Sequence, residues 1–198
     1  MKTRPIIFSG EMVRAILDGR KTQTRRVVKP QYNHQVVDVR KNASGEWCGH
    51  ARGEPGIRRG WCTCPYGVPG DRLWVRETWA APAAWDNAPP RLIPEPQPIW
   101  YRCTGSASVY RPGRWRPSIH MPRWASRITL EVLSVRVERV QGITEGDARA
   151  EGVGLGLPTE GLSCYTMFGR LWDTINAKRG YSWESNPWAW VVEFMVAP

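Results

Sequence analysis

The sequence predicts an α+β fold, a small β-barrel with flanking helices and two long loop insertions. Three observations carry this. Alternating apolar residues mark strands near residues 72–79, 127–140 and 188–196. Apolar stripes at helical spacing mark helices near residues 9–19, 144–152 and 165–180. Two stretches, about 31–69 and 80–117, hold no sustained period and are rich in Gly, Pro and charge. No internal repeat or second core-sized block appears, so residues 1–198 read as one domain.

The first helix has Ser9 as N-cap, Glu11 at the positive end of the dipole and Gly19 as a C-terminal stop. Met12, Val13, Ile16 and Leu17 form its core stripe. Residues 31–69 read as an elaborated loop or a small hairpin. Pro69, Gly70 and Asp71 make a turn into the alternating strand 72–79. The proline-rich 80–98 reads as an exposed loop, 99–103 as a short strand and 105–117 as a second, basic loop.

In 127–140, Ile128, Leu130 and Val132 share one face, whereas Leu133, Val135 and Val137 share the other. Such a phase change requires a bulge or sharp bend, the device by which small barrels turn corners. Thr144 and Asp147 make a capping box for the second helix, which Gly152 ends. The third helix carries Tyr165, Phe168, Leu171, Trp172 and Ile175 and ends near Gly180. The last strand places Trp190, Val192, Phe194 and Val196 on one face.

Composition narrows the partners. With 41% hydrophobic and 23% charged residues the chain is an ordinary soluble domain. A formal charge of +10 raises the local concentration of polyanions, so nucleic acid is the first partner to consider. A basic surface that only aids solubility is the plain alternative. Most of the 12 tryptophans belong to a core, and some are available to stack on bases. The short run Ile6, Ile7, Phe8 is no signal-peptide core, and nothing approaches a membrane span. A cytoplasmic location with unpaired cysteines is expected.

Residues 19–26 (Gly-Arg-Lys-Thr-Gln-Thr-Arg-Arg) set a lysine, two threonines and three arginines just past a helix end. Lys21 and Thr24 share a side only if the chain turns through residues 19–22 before becoming extended. Arg25 and Arg26, if close, would disfavour the ammonium form of Lys21. A solvated basic linker is the alternative. Glu77 shares the apolar phase of Leu73, Val75 and Trp79, so its carboxylate is expected to face the core beside an arginine. Glu151, at a helix C-terminus, is disfavoured by the dipole, which hints at a role other than helix stability. Cys48, His50, Cys62 and Cys64 offer four zinc ligands, but one-residue spacing within each pair is atypical. Structural thiols, no metal and no cofactor are expected.

Several of these stretches resemble one family. Gly19, Arg20, Lys21, Thr24 and Arg26 resemble the GxKxxTxR signature of ASCH domains, which share the PUA-like barrel. Residues 69–77 resemble that family's PGD turn and following strand, and residues 143–152 its later helix. The chain most resembles longer ASCH proteins of phages and prophages. Some small bacterial members remove the acetyl group from N4-acetylcytidine with the signature lysine and threonine and a later glutamate. The resemblance thus implies Lys21, Thr24 and Glu151 as catalytic residues, acting without metal, with Lys21 as the base. Beside them, Arg20, Arg26, Trp74, Arg76 and Glu77 are expected to bind the substrate, a modified nucleoside or single-stranded nucleic acid. The two insertions depart from the small enzymes and could close the pocket, reshape it for a polymer or add an oligomer contact. A non-catalytic RNA- or DNA-binding module and a phage accessory protein acting through protein contacts stay open as alternatives. Ribonuclease activity is a less favoured one.

Overall fold

Alternating apolar residues assemble into one mixed five-stranded sheet in a computed structural model that describes residues 1–29, 31, 36–41, 47–51, 59–60, 64–105, 111–154 and 161–198. In chain order the elements begin with β1 (Thr3–Ile7), α1 (Gly10–Leu17) and β2 (Gln23–Val27). A separate antiparallel sheet of β3 (Val36–Lys41), β4 (Trp47–Ala51) and β5 (Arg59–Gly60) follows. Then come β6 (Arg72–Arg76) and the two-stranded pair β7 (Trp79–Ala80) and β8 (Trp100–Tyr101). The chain ends with β9 (Thr129–Arg139), α2 (Glu145–Ala150), α3 (Cys164–Asn176) and β10 (Trp188–Val196). The main sheet has the order β1-β6-β9-β10-β2, with β1 parallel to β6 and the other pairs antiparallel.

Strand β10 is the centre of the packing. Trp190, Val192 and Phe194 face the main core with Phe8, Ile16, Leu73 and Leu130. Ala189 faces a second cluster with Ala148, Phe168 and Trp172 from α2 and α3. Each such large side chain, removed from water, contributes about 1.5–3 kcal/mol. Val196 and Leu17, expected in the core, are exposed because each lies at the frayed end of its element.

The phase change of β9 is a bulge. Ser134 pairs with Glu193 and Val132 with the next residue, Phe194, so Leu133 is the extra residue. Leu133 turns out to solvent, and Val135 and Val137 return to the same core as Leu130 and Val132.

The sheet curls enough for its edges to touch. Arg26 Nη2, on β2, donates to the carbonyl of Ile7, on β1, at 2.6 Å. Among the described residues no backbone ladder joins β1 to β2. The long arginine side chain spans a gap too wide for backbone hydrogen bonds.

Both insertions carry structure. The first holds β3 and β4, a hairpin as one of the two sequence expectations had it. The second is not simply exposed loop. Its prolines set up short 3-10 turns, Ala83–Trp85 and Pro90–Leu92. These bring Ile93 onto Trp79, Ala81, Met121 and Ala125 in a third small core. Irregular spacing of those apolar residues hides this core from any test of periodicity. No helix among the described residues is long and apolar enough to cross a membrane.

Candidate functional site

The site starts at the end of α1. Gly19, at φ +70°, lets the chain reverse: Gly19 N–H bonds Ile16 O at 3.0 Å and Arg20 N–H bonds Ala15 O at 2.8 Å. Lys21 N–H also reaches Ala15 O, at 2.9 Å. The chain then leaves as β2, with Lys21 directed inward instead of along a solvated linker.

What meets Lys21 is the end of α2. Thr144 caps this helix and Asp147 completes the capping box. At its other end Ala150 O accepts from Thr22 N–H at 2.9 Å. Glu151 O accepts from Lys21 Nζ at 2.9 Å, and Glu151 Oε2 does so at 2.8 Å. A cation against C-terminal helix carbonyls is favourable, and the carboxylate strengthens it. Gln23 O, at 2.7 Å, is the third acceptor on Nζ. Both side chains are buried, 0% and 4% exposed. Burial pushes the Lys21 ammonium below the usual lysine value; the charge and hydrogen bond of Glu151 oppose this, and Arg26 and Arg25 add to it. Three acceptors match the three N–H bonds of an ammonium, so all of its donors are engaged.

Arg25 fixes the carboxylate from the other side. Its Nη1 lies 3.6 Å from Glu151 Oε1, while Nη2 binds Glu138 Oε2 at 3.0 Å and Asp147 Oδ2 at 3.2 Å. Arg136 takes the remaining oxygens of Glu138 and Asp147 and also pairs with Glu193. This network ties β2, β9, β10 and α2 together around Glu151.

A cavity of about 170 Å³ opens beside it. Thr24, Arg25, Arg26 and Glu151 line one part; Tyr66, Phe168, Trp172 and Tyr181 bring aromatic surface, with Lys29 and Arg179 also on the wall. Lys21 is behind Glu151 and is not on that wall. Glu151 Oε1, Arg25 Nη1 and Arg26 Nε are buried atoms without a hydrogen-bond partner among the described residues. The hydroxyl of Thr24 makes no hydrogen bond with the described residues either. Buried donors and acceptors of this kind are costly unless something else satisfies them.

Of the residues singled out from sequence, Lys21 and Glu151 are in direct contact, and Thr24, Glu151 and Arg26 share the cavity. The rest are elsewhere. Arg20 pairs with Asp18 at the surface, 2.8 Å away. Arg76 stacks over Trp74, 4.6 Å from its ring centre, and donates to Ile119 O. That pair lies off the cavity because β6 turns those side chains to the outer face of the sheet.

Glu77 is 1% exposed and lines a different cleft, with Ser9, Arg14, Arg102 and Cys103. Arg127 grips it with two bonds, Nε–Oε1 at 2.9 Å and Nη2–Oε2 at 3.1 Å, and stacks on Tyr101. Cys103 Sγ donates to Glu77 Oε2 at 2.9 Å. Burial, with the hydrogen bond and charge of Glu77, pushes the Cys103 thiol up to about 11. The side chains of Cys48, His50 and Cys62 lie outside the described residues; Cys64 is a buried free thiol.

Tyr66, Lys29, Tyr181 and Arg179 were not legible as site residues. Each comes from a loop or an element end, where no periodicity assigns a direction. The sequence signal available was compositional only: cations and aromatic rings interleaved.

No family model matches the chain, and no curated protein matches it. Among solved structures the chain is similar to an ASCH domain from Lactobacillus crispatus JV V101, with 11% identity and a TM-score of 0.44, covering 98% of this chain and 79% of that one. It is also similar to a protein of family DUF984 from Enterococcus faecalis V583, with 10% identity and a TM-score of 0.43, covering 100% of this chain and 80% of that one.

Proposed function

We propose that this chain is an ASCH-type protein that holds a nucleobase in the Thr24–Glu151 cavity and hydrolyses the amide of an N4-acylated cytidine. The observation that carries the reading is the buried Lys21–Glu151 pair, whose second carboxylate oxygen makes no hydrogen bond among the described residues, has Arg25 Nη1 at 3.6 Å, and lies on a cavity shared with Thr24. A weak hydroxyl nucleophile needs an adjacent base, and that base needs an orienting partner.

The geometry favours Glu151 Oε1 as the base and Lys21 as a positioning residue, since all three N–H bonds of Lys21 are engaged. In the proposed reaction the Thr24 hydroxyl proton passes to Glu151 Oε1 as its oxygen attacks the acyl carbonyl carbon. Arg25, whose Nε and Nη1 make no hydrogen bond among the described residues, stabilises the oxyanion. The C–N bond breaks, and the exocyclic nitrogen leaves as an amine with the proton from Glu151. Water, deprotonated by Glu151, then attacks the threonyl ester; its C–O bond breaks, the threonine oxygen regains that proton from Glu151, and the acid departs, losing its remaining proton to solvent. Tyr66 and Tyr181, half-buried on the same wall, supply surface for the base to stack on.

The test is release of cytidine from N4-acetylcytidine by purified protein, followed by chromatography and mass spectrometry. Glu151→Gln and Thr24→Ala should each lower the rate by about 100-fold or more while the fold is retained. Binding without release by the wild-type protein would make the cavity a reader's site, and the engaged lysine suits that second reading.

A further inference from the structure

The charge on the cavity wall is unbalanced. Four cations, Arg25, Arg26, Lys29 and Arg179, face one carboxylate, Glu151. Arg25 is committed to Glu138, Asp147 and Glu151. Arg26, Lys29 and Arg179 have no carboxylate partner among the described residues. Lys29 instead rests over Tyr181, 5.4 Å from its ring centre, and Arg26 over Phe8, at 5.1 Å. Arg26 uses Nη2 on Ile7 O and leaves its buried Nε without a partner.

The segments that carry these cations are anchored to the fold around one cavity. Arg179 closes the 3-10 turn Ala177–Arg179, and Gly180, at φ +82°, reverses the chain there. The next residue, Tyr181, is pinned to α3 because its carbonyl accepts from Trp172 Nε1 at 2.8 Å and its N–H reaches Asn176 O at 3.2 Å. Arg26 is fixed by the β1–β2 link. Arg179 is near enough that, after burial, its charge helps push the Arg26 guanidinium below its usual value, against Tyr66 and Glu151. Like charges kept close, with one carboxylate that is already committed to Lys21 and Arg25, are costly, and an anionic ligand would lower that cost.

We infer that Arg26, Lys29 and Arg179 form a phosphate seat on the cavity, so that the ligand is a phosphate-bearing nucleotide unit and not the bare nucleoside. The inference rests on the reading of the cavity as a base pocket and decides which form of the base it takes. Aromatic surface receives the base, and the cationic wall receives the phosphate ester that the sugar carries. A mononucleotide and one residue of an RNA strand present the same chemistry.

Calorimetric titrations with cytidine, cytidine 5′-monophosphate, ribose 5-phosphate and a short oligocytidylate, at low and moderate salt, test this. The monophosphate should bind at least about tenfold more tightly than cytidine, and only the phosphorylated ligands should weaken with salt. Arg179→Gln and Lys29→Gln, both at exposed residues, should reduce monophosphate affinity toward that of cytidine and leave cytidine itself unchanged. Tighter binding of the oligonucleotide than of the monophosphate supports the seat and identifies a strand as its source; the reverse order supports it with a mononucleotide. Equal affinity for cytidine and its monophosphate overturns the phosphate seat and leaves the base pocket standing. Ribose 5-phosphate matching the monophosphate while cytidine fails to bind sustains the seat and overturns the base pocket. Failure of all four ligands to bind overturns both.

Discussion

A Cβ placed on Gly152 would stand 3.2 Å from the Cβ of Lys21 and 3.0 Å from that of Ala15. The glycine that ends α2 is therefore what lets Glu151 come down onto Lys21. Its φ of +88° adds a second reason for glycine at this position. Gly152→Ala should cost about 1–3 kcal/mol from backbone strain and push the carboxylate away from the ammonium. Urea unfolding measures the first effect. An unchanged midpoint would mean that the seat is looser than these distances imply.

The Lys21–Glu151 pair gives an asymmetric expectation. Lys21→Met leaves a buried carboxylate with only Arg25 nearby, at 3.6 Å, and should cost about 3–5 kcal/mol. Glu151→Gln keeps an oxygen for Lys21 alongside the two carbonyls, so it should cost less. The double variant Lys21→Met/Glu151→Leu should be less destabilised than the sum of its single changes. Additive losses in a double-mutant cycle would show that the two groups do not stabilise each other.

Acid should unfold the protein through carboxylates that are hydrogen-bonded only in the native state. Asp71 is held below the usual carboxylate range first by the backbone N–H of Lys2, at 2.6 Å, and then by Arg4, with burial opposing. Glu145 is lowered by the N–H groups of Tyr165 and Cys164 at the start of α3. Because their folded values lie below the unfolded ones, their contribution is present above about pH 4 and is lost as pH falls through the folded values. Urea midpoints measured from pH 7 to pH 2.5 should decline below about pH 4. Asp71→Asn should flatten part of that decline; an identical profile in the variant would remove Asp71 from the account.

Local signals were the legible part of the site. Gly19 gave the helix stop and the turn that redirects Lys21, and Thr144 with Asp147 gave the start of α2. The inward direction of Glu77 followed from the two-residue period of its strand. Pairing across 130 residues, as between Lys21 and Glu151, could not follow from any local pattern; only the family resemblance pointed to it. Strand β1 went unseen because Pro5 interrupts a five-residue run and its partner, β6, lies parallel and 69 residues on. Arg20, Trp74 and Arg76 were drawn into the expected pocket by motif proximity, which carries no information about the face a side chain takes.

Glu77 supplies the contrast with the cavity. Its carboxylate is satisfied by both arms of Arg127 and by the Cys103 thiol, and it lines another cleft. Glu77→Ala should therefore destabilise the fold by about 1–3 kcal/mol, since the buried carboxylate is lost to Cys103 while Arg127, itself exposed, regains water. Ligand binding in the Thr24 cavity should be unchanged once the variant is folded. Cys103 gives an independent readout. Burial raises its pKa most, and the hydrogen bond and charge of Glu77 raise it further, so the native thiol should alkylate slowly at pH 8. Glu77→Gln removes the charge and should speed alkylation of Cys103, followed by peptide mass spectrometry, with Cys164 as an internal comparison. Faster alkylation with unaltered ligand affinity is the expected result and makes Glu77 a structural clamp. Selective loss of ligand affinity, with stability and alkylation unmoved, would return Glu77 to the binding site.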